Sequence, residues 1–185
     1  DGNHSLATAK ACWEKLKASL PQKAWEGHPA RWALVELVNI HDPALDFQPI
    51  HRVVFGAEPE GLLAHLKRAF PQEGAGVQSF QVVCQGRRET IQVSNPTSNL
   101  AVGSLQGFLD RYLLEHPEAK VDYIHGEETV ERLSQREGAV GFLLPPMGKE
   151  ELFPTVEKDG ALPRKTFSMG EAHDKRFYLE ARKIQ

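Results

Sequence analysis

Cysteine is nearly absent from this chain: Cys12 and Cys84 are the only two in 185 residues. That excludes a disulfide framework, and both thiols sit among apolar residues, where they read as buried and reduced. An excess of one charge is also missing. The formal net charge is −3 and the isoelectric point is near 6.3, so there is no electrostatic footprint for DNA or an anionic membrane. Nucleic acid is therefore not expected as the partner of this segment. No apolar run approaches the roughly 20 residues a membrane span needs, and no signal peptide opens the chain. A cytoplasmic location without a membrane partner is expected. No H-E-x-x-H or C-x-x-C spacing occurs, so no metal site is expected. Internal repeats and low-complexity segments are missing too. Finally, the chain begins on Asp1 rather than methionine and already inside a motif, which predicts a fragment of a longer protein.

What the chain does contain is hydrophobic periodicity. Leu6, Ala9, Trp13, Leu16 and Leu20 recur at steps of three and four, the pattern of a helix that ends at Pro21. Residues 32–40 are almost continuously apolar and predict a strand covered on both faces, stopped at His41-Asp42-Pro43. A strand is expected over residues 50–55, then a helix from Pro59 with Leu62, Leu66 and Phe70 inward. Phe80, Val82 and Cys84 alternate up to Gln85-Gly86, with Ile91 and Val93 beyond, which predicts a hairpin. An amphipathic helix around Val102, Leu105, Leu109 and Tyr112 precedes a short strand over 121–124. A polar helix over 127–136 ending at Gly138, an apolar strand over 139–144 and a short helix over 149–158 interrupted at Pro154 follow. Alternation of Phe177, Leu179 and Ala181 with polar residues predicts a closing strand. Strands alternating with helices point to an α/β domain, or α+β, spanning residues 1–185: a mixed β-sheet with flanking helices and one β-hairpin.

The chemistry begins with Asp1-Gly2-Asn3-His4-Ser5 at the head of the first helix. Gly2 permits a tight turn, and Asn3 or Ser5 can cap the helix. The free N–H groups of its first turn then favour an anion such as phosphate, with His4 placed to touch it or move a proton. The plain alternative is a capped helix start with an idle histidine. His41, His51 and His125 all fall near predicted strand ends, with Asp42 and Arg52 beside two of them. Ligands gather outside the carboxyl ends of parallel strands. A pocket joining these residues to His4 would suit phosphoryl transfer, with Arg52 on phosphate and a histidine or Asp42 on the proton. Alternatively, His41 and Asp42 cap a turn, and His51 and Arg52 pair with nearby carboxylates. Trp13, Trp25 and Trp32 read as packing residues, since no basic stripe accompanies them in sequence.

D-G-N-H-S-L-A-T-A-K resembles the D-G-H-H-R…A motif of the ParB/sulfiredoxin-like superfamily. More closely, the chain resembles the C-terminal part of bacterial proteins in the domain-of-unknown-function family 1015. The residues that carry this are Asn39-Ile40-His41-Asp42-Pro43 with Leu45, Pro49-Ile50-His51-Arg52-Val53-Val54, Tyr123-Ile124-His125-Gly126, Gly141-Phe142-Leu143-Leu144-Pro145-Pro146 and Leu162-Pro163-Arg164-Lys165-Thr166-Phe167. The superfamily likeness implies nucleotide binding: sulfiredoxin and the free-serine kinases hold the phosphates of ATP or ADP at this motif, and ParB proteins use a related pocket. Asp1, Gly2 and His4 match the motif, whereas Asn3 replaces its first histidine and Ser5 its arginine. That exchange removes a fork of donors well suited to phosphate. On this reading residues 1–20 form a helix after a phosphate-type turn and group with a preceding ParB-like unit. Lys165, in the family's C-terminal polar motif, either reaches a phosphate or is a surface lysine.

These readings converge on a nucleotide- or phosphate-binding domain of phosphotransferase type, taking ATP or ADP with Mg²⁺, or another phosphorylated small molecule. Residues preceding the motif would complete the site, so the fragment is expected to be inactive alone. The alternatives are a non-catalytic regulatory or ParB-like nucleic-acid-associated domain, and a self-associating module that forms a homodimer.

Overall fold

The computed structural model describes residues 3–72 and 76–170. Its contacts divide the chain into two compact units, with the boundary between Ile40 and His41. Asp1, Gly2 and the closing strand expected around Phe177 lie outside the described residues.

In the first unit, α1 runs Asn3–Lys17, shorter at its end than the periodicity suggests. Two 3₁₀ turns follow, Gln22–Ala24 and Pro29–Arg31. The His28 side chain accepts the Ala30 N–H at 3.2 Å and caps the second turn. Trp13 packs against the His28 ring at 5.6 Å between centroids, and the Trp25 indole N–H donates to the Leu20 carbonyl at 3.2 Å. Trp13 of α1 therefore rests on the turns that follow it.

The strand expected over residues 32–40 is not formed. Leu34 and Leu37 are 94% and 98% exposed, and no described strand pairs with this stretch. An apolar run becomes a strand only where a neighbour supplies hydrogen-bonding partners, and here composition alone misled.

The second unit holds a six-stranded sheet: β1 Phe47–Phe55, β2 Gln78–Cys84, β3 Arg87–Val93, β4 Lys120–His125, β5 Ala139–Leu143 and β6 Phe167–Met169. The order is β3-β2-β5-β1-β4, with β6 on the N-terminal end of β1. Every pairing is antiparallel. Helices α2 (Pro59–Ala69), α3 (Ala101–Glu115), α4 (Glu127–Leu133) and α5 (Leu152–Asp159) flank it, so the class is mixed α and β. The hairpin forms at Gln85-Gly86, both with positive φ, as a two-residue turn that matches strand twist requires.

Strand alternation distributes the core. Val54, Val82, Val140 and Phe142 face Leu62 and Leu66 of α2 and Leu105 and Leu109 of α3. Val53, Val83, Ala139 and Leu143 face Val130 and Leu133 of α4. Both faces of β1 are thereby buried, so its residues from Ile50 to Val54 are all buried, His51 and Arg52 included. Pro154 does not interrupt α5, because it lies in the first turn, where its missing N–H has no intrahelical role. β6 was not foreseen; it is three residues long and too short for a periodicity to register. Among the described residues, no helix is long and apolar enough to cross a membrane.

Candidate functional site

The head of α1 comes first. The helix begins at Asn3, carries no acidic residue in its first turn and has Lys15 and Lys17 in its last. The first N–H groups of any helix lack intrahelical partners, and the helix dipole at that end favours an anion. His4 lies within this helix, and Ser5 is exposed on it.

His51 and Arg52, adjacent on β1, are both buried but take opposite faces of the sheet, as strand alternation demands. His51 packs on the α4 side, where its Nδ1 accepts the Leu144 N–H at 3.1 Å. That bond requires an unprotonated Nδ1. Burial lowers the His51 pKa; Glu127 opposes this, while Arg52 and His125 reinforce it. His125 ends β4 opposite Ile50 and is exposed. His51, His125 and Glu127 thus lie close enough for their charges to interact.

Arg52 is wholly buried on the α2–α3 side. Its guanidinium donates to Gln106 Oε1 at 3.3 Å, to the Ile50 carbonyl and to the Arg164 carbonyl at 3.1 Å. Gln106 in turn donates to Asp110 at 2.8 Å, and the guanidinium stacks 5.0 Å from the Tyr123 ring centre. Burial brings the Arg52 pKa down to about 10, against the pull of Tyr123 and Asp110, so the group is charged at neutral pH. Its donors tie β1 to α3 and to the turn before β6, and it shares no pocket with His51.

Asp42 is exposed; Oδ1 accepts the Ala44 N–H at 2.9 Å in a side-chain turn, and its carbonyl accepts from Lys149 at 2.7 Å. His41 is exposed in the same turn. Lys165 is exposed with φ of 56°, in a turn where the Thr166 hydroxyl donates to the Pro163 carbonyl at 2.6 Å. By register His125 pairs with Ile50 and so takes the sheet face of Arg52, while His51 takes the other face.

Two clefts were missed. One, of about 600 Å³ in the first unit, is lined by Trp13, Lys17, Trp25, Lys23, Arg31 and neighbours. Lys17 lies 4.8 Å from the Trp25 ring centre. Cations do therefore accompany these tryptophans, contributed by three separate segments, which is why no stripe is visible along the sequence. The other, of about 450 Å³ between α2 and α3, is lined by His65, Arg68, Phe108, Arg111, Tyr112 and Glu115. Helical spacing could have found it: His65 and Arg68 are three residues apart, and Arg111 and Glu115 four.

Comparison with known proteins places a family match over residues 1–139, to the family described as "Protein of unknown function (DUF1015)". That stretch contains the Asp1–Ser5, Asn39–Pro43, Pro49–Val54 and Tyr123–Gly126 motifs, while the two motifs after residue 140 lie beyond it. No curated protein and no solved structure matches the chain.

Proposed function

The chain belongs to that family, and from this premise we propose that it binds a nucleotide or another phosphorylated small molecule, as a domain of phosphotransferase type. The observation that carries the reading is the start of α1 at Asn3, with no acidic side chain in its first turn. In sequence the D-G-N-H-S motif leads into this 15-residue helix, whose N-terminal end favours an anion such as phosphate. Among the residue types at this end, a histidine can carry a proton and a serine can donate its hydroxyl.

A second location for the same ligand class is favoured by the Trp13–Trp25 cleft. Two indoles offer a stacking surface, and Lys17, Lys23 and Arg31 offer charge for phosphate. Asn3 and Lys17 are about 20 Å apart along α1 at 1.5 Å per residue, so one mononucleotide engages one location or the other.

Calorimetry of the full-length protein with ATP, ADP and CTP, each with Mg²⁺, tests the function. We expect binding that weakens in the His4→Ala, Ser5→Ala double variant and survives Lys17→Ala, Lys23→Ala. The reverse pattern moves the site to the cleft. No heat with any nucleotide at millimolar concentration removes the proposal.

A further inference from the structure

The α2–α3 cleft carries a second cluster that owes nothing to the nucleotide reading. His65, Glu115 and His116 each present a ligand atom, and these atoms all lie within 4.8 Å of one another. We propose that His65, Glu115 and His116 form a binding site for a divalent transition-metal ion of the Zn²⁺ type, with three protein ligands and one coordination position left for water or a small oxyanion.

The donor set fits such an ion. Two imidazoles and one carboxylate are ligands of borderline softness that suit Zn²⁺, and three protein ligands with an open fourth position are a recurrent zinc arrangement. A tetrahedral zinc ion holds its ligand atoms about 3.3 Å apart. Small side-chain rotations of half-buried His65 and His116 and exposed Glu115 close the remaining distance.

The backbone positions are rigid. His65 precedes fully buried Leu66 on α2, and buried Leu109 and Tyr112 anchor the end of α3. Glu115 is the last residue of α3. His116 leaves the helical region at φ −126° and ψ 74° while its N–H still reaches the Tyr112 carbonyl at 3.0 Å. Chain neighbours at a helix end can therefore serve one ion.

The surroundings orient the ligands. The His116 ring stacks on Tyr112 with centroids 4.2 Å apart and an interplanar angle of 21°. His65 meets Tyr112 and His116 edge-on at 5.7 and 5.6 Å. His116 Nδ1 lies 3.1 Å from Glu118 Oε1. A carboxylate on one ring nitrogen is the usual outer partner of a metal-bound histidine; it fixes the tautomer and leaves Nε2 for the ion. Two neutral imidazoles and one carboxylate leave a divalent ion with a net positive charge. His65 and Glu115 also line the cleft that contains Arg68 and Arg111, so an anion in the open position would meet further positive charge.

The competing account is an aromatic ladder, His65–Tyr112–His116, that only packs. Zinc calorimetry and cobalt absorption spectra of the tag-free full-length protein decide between them. We expect one equivalent of Zn²⁺, and with Co²⁺ the visible bands of a four-coordinate nitrogen–oxygen site. His65→Ala and Glu115→Gln should each weaken binding more than tenfold. Glu118→Gln, which touches no metal, should weaken it about 10- to 100-fold. Glu115→Gln lies at an exposed helix end and preserves the fold, as circular dichroism will check, so the test does not hang on His65→Ala folding. Absence of Zn²⁺ binding, or binding that survives both His65→Ala and Glu115→Gln, overturns the site.

Discussion

At the residue scale, the strongest constraints sit on His51 and Arg52, neighbours in sequence with different tasks. Arg52 brings a charge into the core and satisfies it with two backbone carbonyls and Gln106. Buried cations are tolerated only when so bonded. Its role is thus to fasten β1, α3 and the Arg164 turn, and its side chain is wholly buried. His51 is held in its neutral form by burial and by the Leu144 N–H. Because its folded pKa lies below the ordinary 6.5, the unfolded chain binds a proton more readily than the native one. Stability from this group is fully present above pH 6.5 and is lost as pH falls below it, through the lowered folded value. Urea unfolding across that window should show wild-type stability dropping with a slope of at most about 1.4 kcal/mol per pH unit from this histidine. His51→Gln should flatten that component. An unchanged slope in the variant would show that His51 does not titrate differently on folding.

At the element scale, α4 and β5 touch through Gly141. A methyl group there would strike Ser134 Oγ and Val130 Cγ1, and Ser134 is itself fixed by a 2.7 Å bond to the Val130 carbonyl. Gly141→Ala must push α4 off the sheet. We expect it to destabilise the protein by about 1–3 kcal/mol in denaturant unfolding; an unchanged midpoint would mean that α4 yields freely. This contact also marks the limit of pattern reading. The glycine is visible in the sequence, but its partner helix face is not. Helices α2 and α3 were legible because their inner faces are contiguous apolar stripes, and the β2–β3 hairpin because Gln85-Gly86 permits positive φ. Residues 32–40 misled because hydrophobicity does not name a strand partner.

At the scale of the whole molecule, the mixed α and β class follows from the alternation of patterns, whereas the antiparallel order does not. Strand pairing is set by contacts between segments far apart in the chain. The expected pocket inherited that gap: strand-end residues converge on one rim in a parallel sheet, but adjacent antiparallel strands end at opposite edges. His51 lies inside β1 and His125 ends β4, paired with Ile50. The first helix was legible because its apolar spacing is local, and α1 does begin at Asn3. The two clefts were not, because each assembles from separate segments. The central claim is that a phosphorylated ligand binds at the head of α1. Its most direct test is an amide-resolved NMR titration of the protein with ADP and Mg²⁺. The account predicts saturable shifts concentrated on Asn3, His4, Ser5 and Leu6. Shifts confined to the cleft residues Lys17, Lys23 and Arg31, or none at saturating ligand, would contradict it.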